Sequence, residues 1–182
     1  MDTAASVSDL VALVRDVPDF PRPGVVFKDI SPLIGSPTAF AAAVAALVAA
    51  APPDVDTVVG MEARGFIFAA PVALALGAGF VPVRKPGKLP GPLVTAAYDL
   101  EYGSTELAVQ HDAIAPGSRV LLVDDVLATG GTVEATAGLV RRLGAEVAQV
   151  TVLLELAFLG GRRRLETAGV APLHALWTVE RA

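Results

Sequence analysis

The residues best suited to chemistry form one stretch, VLLVDDVLATGGT, at positions 120–132. An apolar run typical of a buried strand leads to two adjacent carboxylates, Asp124 and Asp125. The turn that follows can present successive backbone N–H groups and threonine hydroxyls to a phosphate monoester, and the next helix adds its positive N-terminal dipole. The carboxylates suit the hydroxyls of a ribose 5-phosphate, directly or through a magnesium ion. The residues of this predicted phosphate-binding turn are Ala128, Thr129, Gly130, Gly131 and Thr132.

Two common phosphate-binding patterns do not describe this stretch. The turn contains no lysine, which excludes a Walker A loop, and the G-x-G-x-x-G spacing of dinucleotide-binding folds is absent. Glycine is expected where the backbone approaches a ligand closely or takes a positive φ. The alternative is an acid pair that caps a strand by chance before a glycine turn.

A second group of polar residues lies in the loop RKPGKLPGP, at positions 84–92. The chain has only three lysines, and two of them, Lys85 and Lys88, lie here with Arg84. In an acidic protein, such a concentration of positive charge indicates an anionic small molecule as ligand. A solvated surface loop is the alternative, and the charges alone do not decide between the two.

Composition excludes several classes of protein. The chain has 182 residues, 53% of them hydrophobic, which suits one compact domain and excludes disorder over most of its length. A net charge of −5 argues against general binding to nucleic acid. The absence of cysteine excludes disulfides, thiolate zinc sites and cysteine nucleophiles. The longest apolar run, residues 39–51, is too short to span a membrane, and no secretory signal is visible, so we expect a cytoplasmic protein.

The elements that must position these residues alternate between strands and helices. We expect a short amphipathic helix over about residues 8–17, followed by a turn-rich segment and by a helix that begins at Ser36-Pro37. Apolar strands are predicted near residues 56–61, 79–83, 119–124, 146–154 and 173–179, with further strand material at 98–110.

Near-continuous apolar strands between helices predict an α/β fold: a central, mostly parallel twisted sheet with helices on both faces. Ligands of such sheets bind at the carboxyl ends of the strands. Three predicted strand ends carry polar residues, at positions 62–65, 84–85 and 124–125. We therefore expect these residues to meet in one cleft.

Residues 120–132 resemble the phosphoribosyl pyrophosphate (PRPP) motif of type I phosphoribosyltransferases. Within that family, four other segments resemble the adenine phosphoribosyltransferases. FPRPGVVFKDISP (20–32) is similar to their base-binding segment and MEARGF (61–66) to their pyrophosphate loop. RKPGKLPGP and YDLEYG (98–103) are similar to the start and the end of their mobile catalytic loop. The resemblance extends from about residue 20 to residue 155.

The resemblance implies a fold and an assembly. It implies one phosphoribosyltransferase domain over residues 1–182, with a small N-terminal base-binding hood at about 1–34 and a mobile catalytic loop at about 84–103. It also implies a magnesium-dependent homodimer with adenine and PRPP as substrates. From the net charge and the length of the apolar run we expect no nucleic-acid or membrane partner.

The resemblance also assigns roles to individual residues. Asp124 and Asp125 would bind the ribose hydroxyls or their magnesium ion, and the turn at 128–132 the 5-phosphate. Pyrophosphate would be bound by Glu62, Ala63, Arg64, Arg84, Lys85 and Lys88, and the family often has a cis peptide between the first two. The purine would be bound by the backbone of Val26 and Lys28, between the side chains of Phe27 and Leu156. The family usually has arginine at the position of Lys28.

The implied reaction converts adenine and PRPP into AMP and pyrophosphate, a step of purine salvage by a glycosyltransferase. Glu101 would act on the purine proton and Arg64 on the leaving group, so both would be catalytic. One alternative is a phosphoribosyltransferase for another base, such as hypoxanthine, guanine or orotate. Another is a PRPP-sensing regulator of nucleic acid without catalysis, and a third is an inert α/β domain.

Overall fold

The computed structural model describes residues 6–99, 104–170 and 172–181. The N-terminal part contains α1 (Val7–Val11), β1 (Arg15–Val17), β2 (Phe27–Asp29), α2 (Ser31–Gly35) and α3 (Pro37–Ala49). The middle contains β3 (Thr57–Met61), α4 (Gly65–Leu76), β4 (Gly79–Val83), β5 (Leu93–Asp99) and β6 (Ser104–Gln110). The last part contains β7 (Arg119–Leu127), α5 (Gly131–Arg142), β8 (Glu146–Leu156), a 3-10 turn (Ala157–Leu159), α6 (Gly161–Thr167) and β9 (Leu173–Val179).

The centre of the molecule is a five-stranded sheet with the strand order β4-β3-β7-β8-β9. All four neighbouring pairs are parallel, and Val59 of β3 lies between Val81 of β4 and Leu122 of β7. The predicted α/β fold is therefore confirmed. Because the strands run in one direction, their carboxyl ends meet at one edge of the sheet.

Hydrophobic side chains alternate between the two faces of this sheet. Val59 and Leu122 point to a core that also contains residues of α5, α6 and the β5–β6 hairpin. Val58 and Leu121 point to a second core, formed with α3, α4 and residues of the N-terminal segment. The sheet is covered on both faces, which explains why its strands are almost continuously apolar.

The N-terminal segment differs from the expected helix over residues 8–17. The helix ends after one turn, and β1 pairs with β2 in an antiparallel ribbon. Two ion pairs join these strands, Arg15 with Asp29 at 2.6 Å and Lys28 with Asp16 at 2.7 Å. Pairing with a distant segment outweighs the weak helix propensity of a valine-rich stretch.

Strand β7 is longer than the sequence predicts. Its ladder with β8 continues beyond Asp124, and Val126 pairs with Leu154. Asp124 and Asp125 therefore lie within the last residues of the strand and not after it. The regular strand backbone fixes their position. The other strands of the central sheet start and end close to their predicted bounds. The hairpin strand β5 begins at Leu93, before the predicted strand material, and β1 and β2 were not predicted as strands.

The segment after β4 contains an antiparallel hairpin, β5–β6. Ala108 of β6 forms an isolated bridge with Arg84, which attaches the hairpin to the end of β4. The Arg142 side chain of α5 donates to the Thr95 carbonyl and attaches β5 to the central sheet and its helices.

Glu101 lies outside the described residues. In the part of the chain that is described, no helix has both the length and the apolar character needed to cross a bilayer.

Candidate active site

The phosphate-binding turn connects β7 to α5 at the carboxyl edge of the sheet. It surrounds a small cavity of about 70 Å³ lined by Asp124, residues 126–132 and Val133. Gly130 has φ +81° and precedes the first residue of α5, so the amide groups of the helix start face this region. A concave turn of amides at a helix N-terminus can bind an anionic group such as a phosphate.

The structure gives a more specific reason for the glycine at position 130 than close approach to a ligand. Its positive φ favours glycine, and a Cβ built there would lie 3.0 Å from the carbonyl oxygen of Gly161. The atoms that Gly130 must accommodate are therefore those of α6, which covers the outer side of the turn. A larger residue would displace the turn rather than fill the cavity.

The acid pair adjoins the turn and the start of α4. Asp124 Oδ1 accepts a hydrogen bond of 2.9 Å from the Asp125 amide. A Cβ on Gly65 would lie 2.7 Å from the same oxygen, so only glycine permits α4 to begin so close to Asp124. Burial and the neighbouring Asp125 carboxylate raise the pKa of Asp124 well above its ordinary value. Burial also raises the pKa of Asp125, although the Arg64 guanidinium acts in the opposite direction.

Arg64, the residue before α4, connects three of the predicted subsites. Its Nε lies 2.7 Å from Asp125 Oδ2, its Nη1 donates to the Lys28 carbonyl at 3.4 Å, and its guanidinium lies 4.6 Å from the centre of the Phe27 ring. The contact with the ring is a cation–π interaction. The predicted base-binding, pyrophosphate-binding and ribose-binding segments therefore meet at one side chain.

The basic loop lies against the pyrophosphate-loop segment. Arg84 Nε donates to Glu62 Oε2 at 2.9 Å, and Arg84 Nη1 donates to the Lys88 carbonyl at 3.3 Å. The peptide bond between Glu62 and Ala63 is cis, as the resemblance implied. Lys85 and Lys88 are exposed on this loop. Positive charge is thus available beside Glu62, and the roles assigned to these residues stay predictions.

The base-binding segment is partly buried. Phe27 packs edge-to-face against Phe20, with ring centres 5.1 Å apart. Lys28 Nζ is held by Asp16, so this side chain points to β1. The Lys28 carbonyl accepts from Arg64, and the binding of the base by the backbone of Val26 and Lys28 stays a prediction. Leu156, the last residue of β8, is buried in the core that includes α3 and α4.

Comparison with known proteins shows the family to which this chain belongs. The family model of the phosphoribosyl transferase domain matches residues 37–166. An adenine phosphoribosyltransferase of Cutibacterium acnes is 63% identical over 94% of this chain and 97% of its own length. That of Streptomyces coelicolor is 62% identical over 93% of this chain and 94% of its own. The chain belongs to the adenine phosphoribosyltransferase family.

Solved structures of adenine phosphoribosyltransferases also share the fold. The enzyme of Thermoanaerobacter pseudethanolicus superposes with a TM-score of 0.92 at 43% identity, covering 96% of this chain and 100% of the other. The enzyme of Saccharomyces cerevisiae, complexed with an imino-altritol bisphosphate and adenine, has a TM-score of 0.87 at 42% identity, covering 93% and 97%. The fold of this chain is thus that of the adenine phosphoribosyltransferases.

A magnesium ion, which phosphoribosyltransferases generally use with PRPP, fits the acid pair. Asp125 Oδ2 is buried and accepts no hydrogen bond from the described residues, although Arg64 Nε lies 2.7 Å away. Carboxylate oxygens are the ligands that magnesium prefers. Among the described residues no cluster of three or more ligating side chains exists. The pair would therefore supply at most part of the coordination, and the substrate the rest.

The sequence did not predict the residues of α6 and β8 that support the outer side of the turn. Gly161 packs on the turn, and the buried Glu155 binds Arg162 of α6. The signal was the segment LGGRRR at residues 159–164, shortly after a buried strand, in which two glycines precede three arginines. A run of charges on a short helix is usually a solvated face, and only the fold shows which carboxylates these arginines meet.

Proposed function

We propose that this chain transfers the 5-phosphoribosyl group of PRPP to adenine, with AMP and pyrophosphate as products. The observation that carries the proposal is the position of Arg64, which contacts Asp125, the Lys28 carbonyl and the Phe27 ring together. An enzyme that joins a purine to a ribose while pyrophosphate departs needs its three subsites side by side. The names of the relatives favour adenine over other bases.

The turn at 128–132 and the acid pair bind the ribose 5-phosphate part of PRPP. Backbone N–H groups of the turn donate to the 5-phosphate oxygens. Asp124 and Asp125 accept from the ribose hydroxyls, directly or through the metal. This holds the sugar so that the bond at carbon 1′ faces the purine, and fixed geometry alone can supply much of a rate enhancement.

The cationic residues act on the leaving group. As the bond from carbon 1′ to pyrophosphate breaks, negative charge grows on the pyrophosphate and positive charge on the ribose. Arg64, Arg84, Lys85 and Lys88 stabilise the former, while Glu62 and the Ala63 backbone position the loop around it. Magnesium, when bound, supplies further positive charge to the same group.

The purine is read by backbone groups and held between apolar side chains. A carbonyl in the Val26–Lys28 segment accepts from the exocyclic amine of adenine, and an N–H donates to a ring nitrogen. Phe27 and Leu156 enclose the ring. Glu101 takes the purine proton or shares it as the new bond forms. Closure of the loop at 84–103 excludes water, which would otherwise hydrolyse PRPP.

Three further properties are part of the proposal. We infer that the protein works in the cytoplasm, because a chain without cysteine fits a reducing compartment. We infer a homodimer from the family resemblance, and the exposed Leu74 of α4 and Phe80 of β4 are compatible with a protein contact. The net charge of −5 supports small-molecule substrates and not nucleic acid.

The proposal is tested by incubating the purified chain with PRPP, adenine and magnesium and by measuring AMP and pyrophosphate. Equal amounts of both products should form, and none without adenine. Removal of magnesium with a chelator should abolish turnover, and its return should restore it. Hydrolysis of PRPP at a rate that does not depend on adenine would contradict the proposal.

A further inference from the structure

The outer side of the phosphate-binding turn is covered by the first residues of α6. A Cβ built on Gly161 would lie 2.3 Å from the Ala128 carbonyl oxygen, and one on Gly130 would lie 3.0 Å from the Gly161 carbonyl oxygen. Only residues without a side chain allow two backbone segments to approach so closely. The position of the turn therefore depends on the position of α6.

One arginine of α6 attaches it to the sheet. Arg162 Nε donates to both carboxylate oxygens of Glu155, at 3.0 and 3.1 Å, and its Nη2 donates to the same carboxylate. Its Nη1 donates to the Leu173 carbonyl at 3.2 Å. Only 4% of the Glu155 side chain is exposed, so this is a forked, charge-assisted pair with a buried partner. The hydrogen bonds that Arg162 donates to Glu155 raise the pKa of Arg162.

A second arginine attaches α6 to the helix that follows the turn. Arg164 Nε lies 2.5 Å from Glu134 Oε2. The Glu134 amide donates to the Gly130 carbonyl at 2.9 Å, so this residue belongs to the first turn of α5. Gly161 is thus flanked by two ion pairs, one to β8 and one to α5.

We propose that Arg162 and Arg164 are positioning residues for PRPP. They hold Gly161 against Ala128 and Gly130, and so keep the amide groups of the turn directed at the 5-phosphate. The inference rests on the proposed function, because it assigns the turn to that phosphate. The described residues that line the cavity of the turn include neither arginine, so both act through the backbone.

The decisive variant is Glu134→Gln, because two explanations predict opposite changes in the affinity of the turn for an anion. If Glu134 acted only through its charge, its removal near the turn would strengthen the binding of an anion. If it positions α6, its removal releases Arg164 and weakens that binding. We expect the Kd of ribose 5-phosphate, measured by calorimetry, to rise about three- to fivefold, the upper range for a partly exposed ion pair. The KM for PRPP should rise similarly, with kcat within about twofold. Tighter or unchanged binding would overturn the proposal.

A charge exchange gives a second, independent test. Arg164→Glu should weaken binding of ribose 5-phosphate, and the double variant Glu134→Arg/Arg164→Glu should recover most of it, since the pair is restored in reverse. A double variant no better than the single one would overturn the proposal. Arg162→Lys keeps a charge beside Glu155 and loses the fork, so it should fold and bind ribose 5-phosphate about tenfold more weakly. Wild-type affinity in Arg162→Lys would remove Arg162 from the positioning role.

The matched control is the ion pair of Arg119 and Glu146, which are 3.7 Å apart and also partly exposed. This pair joins the first residues of β7 and β8, at the ends of the strands away from the turn. Arg119→Glu should leave the Kd of ribose 5-phosphate unchanged. An equal loss in this variant would show a general effect of charge and would overturn the proposal. If the wild-type chain itself bound no ribose 5-phosphate, the assignment of the turn would fail. Normal wild-type binding with an unaffected Glu134→Gln variant would refute only the role of α6.

Discussion

Arg64 Nε lies 2.7 Å from Asp125 Oδ2 without a hydrogen bond between them. The pair is held by charge, and the buried oxygen keeps its capacity to accept. The contact places Arg64, for which we propose a role in binding pyrophosphate, next to Asp125, for which we propose a role in binding the ribose.

The first prediction is that Arg64→Lys lowers kcat/KM for PRPP by about 10²–10³-fold. Lysine keeps the charge but cannot contact Phe27, the Lys28 carbonyl and a pyrophosphate through one planar group. Steady-state kinetics at saturating adenine would measure the loss. Arg119→Lys, at the opposite edge of the sheet, is the control and should match the wild type. An Arg64→Lys enzyme within a few-fold of wild-type turnover would contradict the role of the guanidinium.

The second prediction concerns Asp124→Asn, which should bind PRPP at least about tenfold more weakly, as expected for loss of a charged hydrogen bond. The variant should nevertheless be more stable than the wild type at pH 7. The pKa of Asp124 is raised in the folded protein, so its ionised form is disfavoured there relative to the unfolded chain.

The sign of this effect fixes its pH dependence. The carboxyl costs nothing below its ordinary pKa of 3.8, and its cost grows as the pH rises through the raised pKa of the folded state. The difference in melting temperature between Asp124→Asn and the wild type should therefore increase with pH from about 4 and then level off. Calorimetric scans across this range would test it, and a variant less stable than the wild type at pH 7 would contradict it.

The third prediction compares two glycines with nearly the same φ. Gly130 has φ +81° and packs on Gly161, whereas Gly117 has φ +82° and open space around its Cβ position. Alanine at either position should cost about 1 kcal/mol of stability through the backbone. Only Gly130→Ala should also raise the KM for PRPP, by about tenfold or more, because only it displaces the turn. Equal effects on PRPP would mean that the turn does not bind the phosphate.

The fourth prediction concerns Glu101, which lies outside the described residues and is assigned by resemblance. Glu101→Leu should lower kcat by about 10²–10⁴-fold, the usual value of a positioned acid–base group. The binding of PRPP and the melting temperature should hardly change. Asp112→Leu, an exposed acid beyond the end of β6, is the control. If both variants kept wild-type turnover, Glu101 would be an ordinary surface acid.

The sequence predicts those parts of the structure that depend on neighbouring residues. Apolar strands between helices indicate the parallel sheet, and the acids with the glycine turn indicate the phosphate site, because each signal lies within about a dozen positions. The contacts of Arg64 with Lys28 and of Gly161 with Ala128 join residues more than thirty positions apart. Such contacts follow from strand order and loop path, which no local pattern contains.

The helix expected over residues 8–17 shows the same limit. Leu10 and Val14 have the spacing of an amphipathic helix, yet the chain turns after α1 so that Arg15 can pair with Asp29. Pairing with β2 decides the structure there. The sequence does not show where the Lys28 side chain points, and the structure directs it to Asp16.

The central claim is that backbone groups near Val26 and Lys28 select adenine. Hypoxanthine presents the opposite pattern of donor and acceptor and would leave buried polar groups unpaired, at about 1–3 kcal/mol each. The most direct test is the ratio of kcat/KM for adenine to that for hypoxanthine, measured with the purified chain, PRPP and magnesium. The account predicts a preference for adenine of about 10³–10⁴-fold. Comparable turnover of hypoxanthine would contradict it.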